Sequence, residues 1–358
     1  MNTHWLHDVV SASGPFASVH LDVSRTEAGS AHEIEVRWAT AANELRASGA
    51  PPELVAAVEE RVLRPTGLAG EQGRSVVAGA HGVLLDRVFP SRPLRDAAAY
   101  GQLPHLMPLV RSAAQGVPYV LVDVSHTGAE ITVVDAVGRD TVHEVEGGHD
   151  ELHKVRGGGL SHRRLQSRVE DSWERNAAAV AEDLDRVVAA HHPALVVLGG
   201  DPKSGGLLRA QVSERVGALL VDEPVEEQLT AYRMRRVREV TARYEQEAGR
   251  GGAAVGGLAA VVDVLREGAV EVLLLIDDPS STDRLWAGEQ PLLLGTTEQE
   301  VVALGAAEVV QDRADAVLLR AAIGQSAAVE LVAGTELPHG VGALLRFDVR
   351  PTPPGRGF

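Results

Sequence analysis

The stretch His-Lys-Val-Arg-Gly-Gly-Gly-Leu-Ser-His-Arg-Arg-Leu-Gln-Ser-Arg occupies residues 153–168 and decides how the chain is interpreted. It carries five basic residues and no acidic one, although the whole chain has a net charge of −16. Glycines at 157–159 open backbone conformations closed to other residues and let the chain approach a partner closely. Ser161 is a candidate N-cap of a helix whose free N–H groups, beside these cations, suit phosphate. The alternative is a flexible loop beside a solvated basic helix end, because glycine loops are common.

The sequence around this stretch predicts an α/β domain over residues 116–224. Three β-rich runs before it, at 119–124, 129–135 and 140–145, form a meander, and residues 147–159 form a loop. A long helix is predicted over 161–190, followed by a strand at 194–198, a helix at 205–216 and a strand at 218–221. The helix is indicated by apolar residues three or four apart: Leu165, Val169, Trp173, Ala177, Val180, Leu184 and Val187.

The preceding segment, residues 1–115, is predicted to be an α+β domain. Its strands are expected at 16–23, 75–80 and 83–88, and its helices at 30–48 and 52–63. Residues 94–115 have a mixed pattern and are interpreted as a connection.

The following segment, residues 225–347, alternates helices with strands. Helices are expected at 225–246, 258–267, 298–304 and 313–325, and strands at 270–276, 308–310, 328–331 and 342–347. Such alternation predicts a three-layer α/β/α sandwich. Residues 348–358 are rich in Pro and Gly and are expected to form a flexible tail. The fold class is therefore α/β in three domains.

Composition excludes several classes of function. With 34 basic and 50 acidic residues, the chain is not a protein that coats nucleic acid by bulk charge. The absence of cysteine excludes disulfides, thiol catalysis and cysteine-based zinc sites, and fits a reducing cytosol. No secretory signal and no apolar run long enough for a bilayer is visible. A cytoplasmic protein without a membrane partner is expected.

Three motifs resemble the archaeo-eukaryotic peptide-chain release factors. Residues 158–161, Gly-Gly-Leu-Ser before an Arg-rich helix start, resemble the family's Gly-Gly-Gln loop. Residues 196–203, Val-Val-Leu-Gly-Gly-Asp-Pro-Lys, resemble its buried strand, glycine turn and Lys. Residues 340–347, Gly-Val-Gly-Ala-Leu-Leu-Arg-Phe, resemble its closing glycine-rich strand. The three motifs cover the second and third predicted domains.

The resemblance is to the bacterial, actinobacterial branch of this superfamily, relatives of Pelota and of the ribosome hibernation factor Balon. It implies a release-factor-type central domain and a C-terminal domain resembling ribosomal-protein L7Ae-like domains. Leu160 replaces the family's hydrolytic Gln, so no polar side chain is left there to orient water. The first domain lacks the family's codon-reading Asn-Ile-Lys-Ser motif. The resemblance therefore implies occupancy of the ribosomal A site without efficient hydrolysis or stop-codon decoding.

The resemblance also implies partners and a site. The expected partners are the 70S ribosome, through 16S and 23S rRNA at the A site, and elongation factor Tu; DNA and membranes are not expected. Neither a catalytic residue, a metal nor a cofactor is expected, and the chain is interpreted as a non-enzyme. The predicted rRNA-binding residues are His153, Lys154, Arg156, Gly157, Gly158, Gly159, Leu160, Ser161, His162, Arg163, Arg164 and Arg168.

Two other functions remain open at this point. One is a peptidyl-tRNA hydrolase that rescues stalled ribosomes by using the loop backbone alone. The other is a stress-response protein that binds some other RNA or a protein. Neutralising Arg163 and Arg164 distinguishes the last alternative, because phosphate contacts predict lower affinity and a shallower salt dependence after that change.

Further candidate sites compete with simpler explanations. His149 and His153 are four residues apart, but Asp150 stands where a zincin has Glu. Residues 199–204 resemble a phosphate loop without the Walker spacing. Asp277 and Asp278 are either Mg²⁺ ligands or a solvated turn after a strand. The basic run 233–238 either touches rRNA or is a solvated helix face balanced by nearby Glu residues.

Overall fold

A computed structural model describes residues 1, 3–26, 29–67, 70–136, 140–146 and 160–347, with residues 140, 146 and 160–171 described as parts of backbone elements. The chain divides into two compact units. One, here called the central unit, is Gly116–Met234. The other, here called the composite unit, combines Met1–Gln115 with Arg235–Phe358.

The first part of the composite unit is a four-stranded antiparallel sheet covered by two helices. The strands lie in the order β3-β2-β1-β4. Helices α2 and α3 bury their apolar faces on this sheet around Trp38, whose indole N–H donates to Glu59 at 2.8 Å. The elements are α1 (His7–Ser11), β1 (Phe16–Asp22), α2 (Ser30–Ala47), α3 (Pro52–Leu63), β2 (Gly73–Gly79), β3 (Gly82–Phe89), β4 (Ala97–Gly101) and α4 (Met107–Ala114).

The central unit is a mixed five-stranded sheet with a long helix. Its elements are β5 (Tyr119–Val124), β6 (Gly128–Val134), β7 (Asp140–Glu146), α5 (Leu160–His191), β8 (Leu195–Gly200), α6 (Pro202–Gln211), α7 (Glu214–Gly217) and β9 (Leu220–Asp222). The strand order is β7-β6-β5-β8-β9, with β5, β8 and β9 parallel and the meander antiparallel. β8 is almost entirely apolar because it lies at the sheet interior.

The remaining elements follow α8 (Val225–Gly249), whose first residues belong to the central unit and whose last residues belong to the composite unit. One sheet has the order β10-β16-β11-β15 and a smaller one β13-β12-β14. The elements are β10 (Ala254–Gly256), α9 (Leu258–Arg266), β11 (Val270–Ile276), β12 (Arg284–Ala287), β13 (Leu294–Gly295), α10 (Glu298–Ala303), β14 (Val310–Arg313), α11 (Ala314–Gly324), β15 (Ala328–Val332) and β16 (Val341–Leu345).

The predicted α/β class is confirmed, with local differences. Residues 94–115, predicted as a connection, contain β4 and α4. The helix predicted over 205–216 is two helices, because Ser213 caps α7 by accepting a hydrogen bond from the backbone N–H of Val216. Each described sheet lies within one of the three predicted domains, while the first and third segments share one compact unit. The three-domain division itself stays a prediction.

Two arginines connect the first and third segments inside the composite unit, one through an ion pair and the other through a backbone carbonyl. Arg111 of α4 makes a two-pronged contact with Asp277, just after β11, with its Nη2 2.6 Å from Oδ1. Arg236 of α8 donates to Glu330 of β15 at 3.0 Å and to the carbonyl of Ala114. Glu330 is only 4% exposed, so its charge needs this partner.

A pair of glycines explains part of the closing motif. Gly256 of β10 lies opposite Gly342 of β16, and Tyr244 of α8 packs against both. A Cβ on Gly342 would lie 2.8 Å from the Tyr244 ring. Glycine at 342 is therefore a packing requirement of the sheet.

Candidate functional site

The predicted rRNA-binding residues fall into two groups. His153, Lys154, Arg156, Gly157, Gly158 and Gly159 lie outside the described residues. Leu160, Ser161, His162, Arg163, Arg164 and Arg168 lie in the first turns of α5, which begins at Leu160 where the sequence predicted a helix from 161. The structure thus places six of the predicted residues on one helix end.

The second half of α5 is anchored in the central core. Val180, Leu184 and Val188 are buried against strands β5, β6 and β8. Val180 and Leu184 belong to the face predicted from the spacing of apolar residues, whereas Val188 is buried in place of the predicted Val187, which is partly buried. This face fixes the helix to the sheet along that half.

The turn between β8 and α6 is formed by Gly199, Gly200 and Asp201. Gly200 has a φ of +89°, and a Cβ there would lie 2.2 Å from the carbonyl oxygen of Val124. The backbone N–H of Asp201 donates to that same carbonyl at 2.8 Å. Only glycine allows this approach, so the motif's second glycine sets the start of α6 against the end of β5.

Asp201 caps α6, which bears on the phosphate-loop alternative. Its Oδ2 accepts from the backbone N–H of Ser204 at 2.7 Å, and this contact lowers the pKa of the Asp201 carboxyl. A carboxylate therefore occupies the anion-favouring end of the helix. The geometry speaks against a phosphate at this turn.

One exposed histidine joins three elements of the central unit. His126, in the turn between β5 and β6, stacks its ring on Trp173 of α5 with centroids 4.2 Å apart and planes 7° apart. Its Nδ1 lies 3.0 Å from the hydroxyl of Ser204 on α6. Its backbone carbonyl accepts from Asn176 of α5 at 2.9 Å.

A lysine completes this group. The ammonium of Lys203 lies 4.3 Å from the centroid of the Trp173 ring, within range of a cation–π interaction. We call the five residues His126, Trp173, Asn176, Lys203 and Ser204 the His126 clamp. Lys203 lies in a motif identified from the sequence and Trp173 on a helix face predicted from it, whereas the roles of His126 and Asn176 were not predicted. No spacing signal links these positions, because their contacts span 50 and 78 residues.

The other candidate residues are engaged in structural contacts. Asp277 is held by Arg111, and Asp278 accepts from the backbone N–H and hydroxyl of Ser280, which lowers the pKa of the Asp278 carboxyl. These contacts favour the turn over a Mg²⁺ site. Within the described ranges, no group of three or more potential ligands is arranged to hold a metal ion. His149 and His153 lie outside those ranges.

The basic run 233–238 is partly used for packing. Arg236 is bound to Glu330, whereas Arg238 is exposed. For the rest of the run, contact with rRNA and a solvated helix face both remain alternatives. For the part of the chain that the structure describes, no helix is long and apolar enough to cross a membrane.

The central unit is thus an α/β domain of mixed topology in which a long helix begins with basic residues after a glycine-rich stretch. Residues 118–250 match the family described as bacterial archaeo-eukaryotic release factor family 2. The resemblance to the archaeo-eukaryotic release factors, inferred from the motifs, is confirmed over this segment. The closing motif at 340–347 lies outside the matched residues.

One relative extends the sequence similarity over nearly the whole chain. The uncharacterized protein Rv2629 of Mycobacterium tuberculosis strain H37Rv is 29% identical over 366 residues, covering 97% of each chain. An archaeal Pelota, from a model of ribosome-bound Pelota with ABCE1, is 15% identical with a TM-score of 0.39, covering 97% of this chain and 94% of that one. The archaeal translation termination factor aRF1 is 16% identical with a TM-score of 0.23, covering 94% and 93%. Scores this low establish no common overall structure, so the assignment rests on the family match.

Proposed function

We propose that the protein is a ribosome-binding hibernation factor that occupies the A site without efficient hydrolysis of peptidyl-tRNA. The glycine-rich stretch would reach the peptidyl-transferase centre, and the first domain would lie near the decoding centre. Elongation factor Tu would be the translational GTPase partner. No cofactor takes part.

One observation carries the proposal. The match to a release-factor family spans residues 118–250 and so includes residues 153–168, which we call the basic glycine stretch. Within this stretch, Leu160 stands where the resemblance places the hydrolytic Gln. Leucine offers a backbone N–H but no side-chain group to orient a water molecule at the ester. Since acyl transfer depends on positioned polar groups, docking is retained while the chemistry is lost.

The basic start of α5 supplies the contacts to rRNA. Arg163, Arg164 and Arg168 would neutralise phosphates, beside a helix N-terminus that attracts anions. The net charge of −16 over the whole chain discourages attachment to RNA at random.

The test is the affinity for 70S ribosomes measured between low and high salt. A double variant, Arg163→Ala with Arg164→Ala, should weaken binding and lower the salt slope by about 1.5, because each lost phosphate contact removes about 0.7–0.9. Arg186→Ala is the matched control, since Arg186 is an exposed arginine on the same helix, in the anchored second half and far from its basic start. If the unmodified protein does not co-sediment with ribosomes at low salt, the proposal is wrong.

The alternative function is a peptidyl-tRNA hydrolase that rescues stalled ribosomes. The glycine stretch and the family's name favour it, and Leu160 opposes it. Peptide release from stalled ribosome complexes at the rate of a genuine release factor would establish this alternative and remove hibernation as the primary role.

A further inference from the structure

We infer that the His126 clamp is a positioning device that sets the direction of the N-terminal half of α5, in which Arg163, Arg164 and Arg168 lie. Trp173 and His126 are its positioning residues. The consequence for ribosome binding rests on the proposed function, whereas the consequence for the helix does not.

Two buried polar side chains make their hydrogen bonds to the same turn. Asn176 and Ser204 are 5% and 4% exposed, and both direct their side chains to His126, an exposed residue in a turn. Buried polar groups are normally hydrogen-bonded, and here one such group on α5 and one on α6 bond to the same turn. The clamp therefore ties α5 and α6 to one point at the edge of the sheet.

The turn that contains His126 is itself held by backbone hydrogen bonds. The turn closes by a hydrogen bond from the backbone N–H of Ser125 to the carbonyl of Gly128 at 2.8 Å. On the other side, Gly200 and the Asp201 cap fix the start of α6 against Val124. Trp173 thus packs against a support that is braced from two directions.

The length of α5 before the clamp turns a small tilt of the helix into a large displacement of its start. Trp173 lies 13 residues after Leu160, the first residue of α5. At 1.5 Å per residue the helix start is about 20 Å away, so a tilt of about 10° at the clamp moves it by about 3.5 Å. Sites that must meet a partner tolerate much smaller errors.

Local charge decides between positioning and direct binding of RNA at the clamp. Asp201 Oδ2 lies 3.5 Å from His126 Nδ1, and the Asp123 carboxylate faces Gly200 beside it. These acidic groups oppose a phosphate at the clamp, although Lys203 is present. The clamp acts on α5, and the arginines at the helix start contact the partner.

The absence of cysteine allows a direct test on the helix, because spin labels attach only to introduced cysteines. Labels at Gln166→Cys and Gln211→Cys report the distance from the helix start to α6. In His126→Ala and Trp173→Ala the distance distribution should shift or broaden by about 3 Å or more, and Trp173→Phe, which can still stack, should restore it. A distribution unchanged in both alanine variants would overturn the inference.

A second label pair controls for loss of the fold. Ala190→Cys with Gln211→Cys lies beyond the clamp, at the end of α5, and both positions are exposed. Its distance should stay the same in every variant. A change at both pairs would mean that the whole helix has loosened, which also contradicts a device acting on the N-terminal half.

Ribosome affinity then tests the consequence separately. His126→Ala should weaken binding roughly three- to tenfold, since a mobile helix must be ordered on binding, with no change in salt slope. A fall in slope comparable to that of an arginine variant would show direct phosphate contact and overturn the inference. If the parent protein does not bind ribosomes but the label distance still changes in the alanine variants, the proposed function is wrong and the inference about the clamp is retained.

Discussion

Leu160 is the residue at which the proposed function is decided, because its side chain stands where a release factor needs a hydrogen-bonding group. Leu160→Gln should raise peptide release from ribosomal complexes at least tenfold, since one positioned donor contributes 10²–10³ in related acyl-transfer sites. The measurement is release of labelled peptide under single turnover. Leu160→Ala is the control and should release no more than the parent. An inactive Leu160→Gln variant that still binds ribosomes would show that the loop does not reach the ester.

His20 has a structural role, because both nitrogens of its buried ring are hydrogen-bonded inside the protein. It is fully buried in β1, its Nε2 lies 2.8 Å from the carbonyl of His105, and its Nδ1 lies 2.9 Å from the hydroxyl of Ser75. A carbonyl can only accept, so Nε2 carries the proton and Nδ1 accepts from Ser75. Burial lowers the pKa of His20 from 6.5 to about 3, which keeps the ring neutral.

This lowered pKa predicts acid sensitivity. The unfolded chain binds the His20 proton below pH 6.5, whereas the folded chain binds it only near pH 3, so the free energy of unfolding falls as the pH falls between these values. From pH 7 to pH 5 the loss is about 2 kcal/mol. His20→Gln should remove that part of the pH dependence in urea unfolding. Ser75→Ala, which leaves the ring buried, should lower stability by about 1 kcal/mol while retaining most of the pH dependence; equal pH dependence in the parent and His20→Gln would contradict the prediction.

At the scale of elements, the sequence predicts those strands and helices whose positions depend on local patterns of apolar residues and prolines. β8 and β11 are continuous apolar runs, and α3 begins at a proline after Pro51, so their positions follow from sequence. β4 is mostly alanine and becomes a strand because it pairs with β1, a contact remote in sequence. β10, β12 and β13 are two to four residues long and depend likewise on their partners.

The candidate site divides in the same way. The approximate start of α5 follows from the spacing of apolar residues, which lies within a short window. Ser161, the candidate N-cap, lies inside the helix, which begins one residue earlier at Leu160. The His126 clamp could not be predicted, since it depends on which turn the sheet topology places beside Trp173. The stacking of His126 on Trp173 and the contact of Asn176 with His126 produce no periodic pattern in the sequence.

The glycine pair in β10 and β16 gives a prediction for an element. Gly342→Ala places a Cβ 2.8 Å from the buried Tyr244 ring and should lower the free energy of unfolding by about 1–3 kcal/mol. Gly101→Ala is the matched control, because Gly101 also lies in a strand of the composite unit and nothing lies within 4 Å of its Cβ position. Thermal and urea unfolding measure both. Equal effects of the two substitutions would show that the Tyr244 contact is not what requires glycine at 342.

At the scale of the whole molecule, charge distribution matters more than net charge. The chain has 50 acidic and 34 basic residues, yet residues 153–168 contain no acid. Many basic residues of the described ranges are neutralised by carboxylates, as Arg74 is by Asp86 and Arg266 by Glu300. An acidic protein with a concentrated basic stretch can bind one RNA site while it is repelled by others.

The composite unit predicts that two segments distant in sequence lose structure together. Asp277→Asn breaks the pair with half-buried Arg111 and should cost about 1–3 kcal/mol, because the arginine keeps its charge but loses its partner. Hydrogen exchange should then quicken in β1 as well as in β11, since Arg111 follows the first sheet and Asp277 follows β11. Glu71→Gln is the control: its pair with Arg92 is more than half exposed on both sides, so its loss should change stability by less than about 1 kcal/mol. Faster exchange confined to β11 would mean that the first segment is stable on its own and that the ion pair does not couple the two.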